Sequence, residues 1–299
     1  MDFNEYQTNA STTDQITGSS LRSIVVPFLG LAGEAGSLLT QYKKYLRDGD
    51  KYEIFDERIA EELGDILWYI ADIATKFNIK LDDIARDNLR KVTDRWHNKD
   101  EGRGQKFFDA QFPPAEQLPR FFLAEIVDRR TNLGSQVTLT IDGKTTGAQL
   151  TDNAYEEDGY RYHDVFHLAN AAVLRWSPVA RAIMKRKRKS NPAVDMVEDG
   201  GRAAAIEEGI SAMIFAYAEN HSFLEGITTI DWTWLRIIRD MTKDLEVKHS
   251  SLHDWEQAIL QGYEVWRQVK SNRGGKVECD LLRRSIRYVG ASSVSASQD

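Results

Sequence analysis

The stretch EELGDILWYIADIA (Glu61–Ala74) decides how the first third of the chain is read. Ile59, Leu63, Ile66, Ile70 and Ile73 recur at three- and four-residue steps, the period of one apolar helix face. Glu62 and Asp65 stand three residues apart at the border of that face, where two like charges repel. A solubilising edge is the plain explanation. A shared divalent cation is the sharper one, because hard ions such as Mg2+ take carboxylate oxygens. The pair alone fits both, so a second helix has to supply more.

Working outward, Pro27 suits the first turn of a helix that runs to about Arg47, with Gly49 as its stop. Phe28, Leu31, Ala35, Leu38, Tyr42 and Leu46 form its apolar stripe, and Glu34 lies at the stripe's edge. Antiparallel packing, which a short connection favours, brings Glu34 to Glu62 and Asp65. A third helix opens near Leu81, carries Asp82 and Asp83 in its first turn, and ends near Trp96. Along one of its flanks run Asn88, Lys91 and Arg95. Carboxylates for a metal beside cationic donors describe a nucleotide polyphosphate site. An exposed, solvated flank is the alternative.

In these segments the chain resembles the MazG-type nucleoside triphosphate pyrophosphohydrolases of the all-α superfamily. The resemblance covers residues 1–97 and rests on NEYQ (Asn4–Gln7), GLAGEAGSLLTQYKKYLRDG (Gly30–Gly49), EELGDILWYIADIA and NLRKVTDRW (Asn88–Trp96). It implies cleavage of an NTP or dNTP between the α- and β-phosphates. It also implies that Glu34, Glu62 and Asp65 hold Mg2+ or Mn2+, and a homodimer or homotetramer that completes the bundle. The family's pattern is Glu-x-x-Glu on one helix and Glu-x-x-Asp on the next, and Ser37 stands where its second Glu belongs. That departure leaves Gln41 as a neutral oxygen ligand at best, and Glu61, beside Glu62, as a base or further ligand. Lys91 and Arg95 would stabilise charge on the phosphates, Asn88 would orient sugar or phosphate, and Lys44 could reach the polyphosphate. Trp68 and Tyr69 are either core residues or a stacking surface for the base. Ser37 also supports a second reading, a catalytically degenerate nucleotide-binding sensor or partner-binding scaffold.

The remainder reads as 99–159, a connector with a β-hairpin at VTLTIDGKTT (Val137–Thr146), then 160–290, a second helical domain, and 291–299, a disordered tail. Residues 1–98 form the catalytic helical domain in this division, and the fold class is all-α. The second helical domain resembles the C-terminal extension of some MazG-like proteins. In YHDVFHLAN, His163 and His167 lie four apart, a spacing at which two imidazoles can share a metal, with Glu208 a third ligand from a later helix. Packing in a core is the plainer role for both. Ser251 with Asp254 forms a capping box ahead of the last helix.

The formal charge of -7 argues against a DNA-coating surface, and the basic run KRKRK (Lys185–Lys189) reads first as a solvated loop. A single cysteine, Cys279, excludes an internal disulfide and a multi-thiolate zinc site. The N-terminus is polar and no apolar run is expected to approach the roughly 18 residues of a membrane span. A cytoplasmic protein that binds neither membrane nor nucleic acid is expected.

Overall fold

A computed structural model describes residues 1–96, 107–132 and 134–292. The chain divides into two compact units, Met1–Thr93 and Asp94–Asp299.

The N-terminal unit is helical, as expected. It consists of α1 (Phe3–Ser11), α2 (Leu21–Asp48), α3 (Phe55–Lys76) and α4 (Leu81–Trp96). Helix α2 begins six residues before Pro27. Ser20 caps it by accepting from Ser23 N, so Pro27 lies inside the helix. Phe28 meets Phe77, Gln41 meets Glu62 and Tyr45 stacks on Phe55 at 4.4 Å. Partners that descend along α3 as they ascend along α2 make the pair antiparallel. The two helices approach closely at Gly30, where a Cβ would lie 2.2 Å from Tyr69 Cζ. Helix α1 is pinned by Gln7, whose Nε2 donates to Thr75 Oγ1 and Ile79 O while its Oε1 accepts from Leu81 N. Trp68 Nε1 donates to Thr13 Oγ1. Tyr69 and Trp68 therefore serve helix packing.

Burial in this unit departs from the stripe read in the sequence. Ala10, Ala71 and Leu81 form a small cluster, whereas Leu63 on the α3 stripe is 49% exposed and Leu46 on α2 is 69% exposed. Helix α2 with its following turn (Leu21–Lys51) holds an 18-residue window of mean hydropathy 1.4, long and apolar enough to cross a membrane, the one such helix among the described residues. Arg22 and Glu34 interrupt its apolar run.

The C-terminal unit is not all-α, and its strands do not stay in a connector. A five-stranded antiparallel sheet has the order β3-β2-β1-β4-β5. Its strands are β1 (Phe121–Thr131), β2 (Gly134–Ile141), β3 (Lys144–Leu150), β4 (Gly274–Asp280) and β5 (Ser285–Gly290). The hairpin at Val137–Thr146 is present as β2–β3, with Asp142 and Gly143 both at positive φ (46° and 77°), the backbone of a type I′ turn. Helicity expected across 160–290 stops at Asn272. There Arg273 turns left-handed and Gly274, at φ 116°, packs where a Cβ would meet Ile126 O at 2.4 Å. That approach seats β4 against β1, with Ala124 opposite Val277.

The helices of this unit are α5 (Asp164–Ala169), α6 (Pro178–Ile183), α7 (Pro192–Val197), α8 (Gly201–Glu219), α9 (Trp232–Thr242) and α10 (Leu252–Asn272), of which α10 and α5 pack on the sheet. The capping box of Ser251 and Asp254 opens α10. Phe122, Ile126, Leu139 and Val277 from the strands share one core with Phe166, Trp255, Tyr263 and Trp266 from the helices. Helix α5 runs into a π turn at Asn170–Leu174 that ends in left-handed Arg175. The basic run is partly interior: Arg188, 1% exposed, is clasped by Asp199 and Glu246, and Arg186 donates to Pro114 O. The proposed tail is described only to Ser292.

Candidate functional site

Antiparallel packing of α2 on α3 brings Glu34, Glu62 and Asp65 together. One carboxylate oxygen from each lies within 4.8 Å of the others, with Glu34 and Glu62 half-buried and Asp65 exposed. Three carboxylates so close repel unless a cation lies among them, and an all-oxygen donor set suits a hard divalent ion.

Gln41 has a different place from the one read in the sequence. Its Nε2 donates to Glu62 Oε1 at 2.8 Å, and its Oε1 accepts from Tyr52 Oη at 2.8 Å and Lys44 Nζ at 3.2 Å. A carboxylate and an ammonium fix the orientation of the amide, since the first only accepts and the second only donates. Gln41 thus turns its donor end toward Glu62 and acts as a bracket that holds it in place. Lys44 is carried with it, one helical turn from Gln41. Tyr52 was not foreseen, because it follows the turn after α2 and no periodicity marks it.

Glu61 lies outside this group, in an exposed ion pair with Arg58 at 2.6 Å. Ser37 is half-buried on α2, and Asn88 is exposed on α4. Lys91 and Arg95 lie on α4, but their side chains fall outside the described residues.

A second group forms in the C-terminal unit. His163, Asp164 and His167 each offer a ligand atom within 4.8 Å of the others. His163 Nδ1 lies 2.8 Å from Tyr160 O, and its ring stacks on Tyr160. His167 is fully buried, with Nδ1 3.1 Å from Glu207 Oε1 and Nε2 3.4 Å from Glu208 Oε2. Burial favours the neutral imidazole, but Glu207 and then Glu208 outweigh it and raise the His167 pKa to about 10. His167 in turn holds the Glu208 carboxyl below its ordinary range, while burial pushes Asp164 up. Glu207 is itself anchored by Asn170 Nδ2 at 3.1 Å and the Val179 amide at 3.0 Å. Sequence reasoning noticed the His163-Asp164 doublet but left Asp164 out of the ligand set, and it missed Glu207, because nothing in the Glu207-Glu208 doublet says which carboxylate turns inward.

Comparison with known proteins is consistent with this division of the chain. The MazG nucleotide pyrophosphohydrolase domain matches residues 29–99, and the MazG C-terminal domain matches residues 103–292. The Gene 37 protein of Mycobacterium phage L5 is 35% identical over 103 residues, which are 32% of this chain and 88% of the phage protein. No solved structure gives a significant match. The chain belongs to the MazG family, with a nucleotide pyrophosphohydrolase domain followed by the MazG C-terminal domain.

Proposed function

We propose that the protein hydrolyses a nucleoside or deoxynucleoside triphosphate to the monophosphate and pyrophosphate, using Mg2+ or Mn2+ at its N-terminal site. The observation that carries this reading is the convergence of Glu34, Glu62 and Asp65 from two antiparallel helices, with Glu62 bracketed by Gln41. The family is generally divalent-metal dependent, and the three-carboxylate donor set fits such an ion. Glu34, Glu62 and Asp65 would hold it. Bound there, a divalent ion neutralises phosphate charge and lowers the pKa of the water that serves as nucleophile.

The protein's own groups divide the remaining work. Glu62 is the catalytic carboxylate, kept in register by Gln41 and Tyr52. Glu61 would have to leave Arg58 to act as a base. Lys44, beside the bracket, and Asn88, Lys91 and Arg95 on α4 supply donors for phosphate and sugar, stabilising charge as it develops. Exposed Leu39 (70%), Leu46 and Leu63 on α2 and α3 support a homodimer or homotetramer through the N-terminal unit. A cytoplasmic location suits a nucleotide substrate.

Ser37 favours one other reading, a nucleotide-binding sensor without turnover. Pyrophosphate release from each NTP and dNTP, with and without Mg2+ or Mn2+, decides between them with Asp65→Ala as control. Metal-dependent release that disappears in the variant supports the enzyme. Binding of nucleotide without release of pyrophosphate supports the sensor.

A further inference from the structure

We propose that the C-terminal unit holds a borderline divalent ion such as Zn2+ on His163, Asp164, His167 and Glu208, with Glu207 as the carboxylate that orients His167. The ligands come from the start of α5, where His163, Asp164 and His167 share one turn, and from α8 facing it. Three of them already place ligand atoms within 4.8 Å of one another, and Glu208 Oε2 approaches His167 Nε2 to 3.4 Å.

Both imidazoles are turned alike. His163 presents Nδ1 to Tyr160 O at 2.8 Å, and His167 presents Nδ1 to Glu207 Oε1 at 3.1 Å. An imidazole whose Nδ1–H faces a carbonyl or carboxylate offers its Nε2 lone pair to a metal, and such oxygen partners are the usual support of metal-bound histidine. Glu207 is suited to that part because Asn170 and the Val179 amide hold its two oxygens. The π turn that follows α5 carries Asn170, and such turns recur at functional sites.

His167 gives the independent observation. It is 0% exposed, yet neither ring nitrogen is aligned for a hydrogen bond, despite carboxylates at 3.1 and 3.4 Å. A buried ion pair is stable when its donors are also hydrogen-bonded, which this one lacks. A metal that displaces the Nε2 proton to solvent satisfies the ring from that side. The approach is open, since His163 is half-buried and the Glu208 side chain is 44% exposed. Two nitrogens and two carboxylates suit Zn2+ or Co2+ and set this site apart from the all-oxygen group of the N-terminal unit.

The test uses the full chain carrying Asp65→Ala, which weakens the N-terminal site, and titrates it with Zn2+ and with Co2+ alone. The expected result is one equivalent bound per chain, with visible Co2+ absorption of a nitrogen-ligated ion. His163→Ala and Glu208→Gln, both at the exposed edge, should each weaken Zn2+ binding at least about tenfold while circular dichroism stays unchanged. Absence of a bound equivalent in the Asp65→Ala chain overturns the site. So does binding of equal strength in both edge variants, which would leave His167 as a buried cation held by Glu207.

Discussion

Among single residues, Gln41 shows how a neutral side chain can govern a charged site. Without it, one oxygen of the half-buried Glu62 loses its donor, and Tyr52 and Lys44 lose their shared acceptor. Groups that orient metal ligands are worth about ten- to a hundredfold in affinity or activity. We therefore expect Gln41→Ala to lower metal-dependent pyrophosphate release by about that factor, and Gln41→Glu to fare no better because it puts a like charge against Glu62. Steady-state kinetics over a range of Mg2+ concentrations will read both. The convergence of Glu34, Glu62 and Asp65 was legible because helical period and antiparallel packing suffice to place them. The bracket was not legible, since which end of an amide faces which neighbour is decided only when Tyr52 arrives from beyond the helix.

At the scale of elements, two contacts fix how neighbours approach. Gly30 lets α2 and α3 close over Tyr69, and a methyl group there has no room. Gly30→Ala should cost about 1–3 kcal/mol, the usual range for overpacking. Thermal melts should show it as an earlier transition, partly restored by adding Tyr69→Ala. In the C-terminal unit, Asp109 accepts from the Leu118 amide and pairs with Arg120 and Arg181 at 2.8 Å, tying the segment ahead of β1 to α6. Burial opposes its charge, yet Arg120, the Leu118 amide and Arg181 hold its carboxyl below the ordinary 3.8. A depressed carboxyl contributes stability that is fully present above its unfolded pKa of about 3.9 and is lost as pH falls through the lower folded value. Denaturant unfolding of Asp109→Asn should thus differ most from the parent above pH 4 and converge with it in stronger acid. Turn chemistry made the β2–β3 hairpin readable through Asp142-Gly143. Strands β1 and β4 also pair with each other across the whole run of helices, and that pairing was hidden because no local period marks a partner so far along the chain.

For the whole molecule, the two units differ in how they are held together. Met1–Thr93 buries few large side chains and leaves apolar residues of α2 and α3 uncovered. The C-terminal unit surrounds Trp176, Trp255 and Trp266, each at most 2% exposed, with a mixed helix and sheet core. Calorimetry should accordingly resolve two transitions. The earlier one should belong to the N-terminal unit and rise with protein concentration, because association would stabilise only that unit. A single, concentration-independent transition would contradict both the division of stability and the proposed oligomer.

Cys279 lies on β4 within the C-terminal core, wholly buried, and its burial pushes the thiol well above the ordinary range. As the chain's one sulfhydryl, it makes the protein its own clock for breathing motions. A thiol reagent can reach it only when the sheet parts, so the labelling rate at neutral pH counts the fraction of molecules momentarily open, with no foreign probe added. Slowing of that rate by Zn2+, in chains where the N-terminal carboxylates have been removed, would show ion binding and the integrity of the sheet as one linked equilibrium.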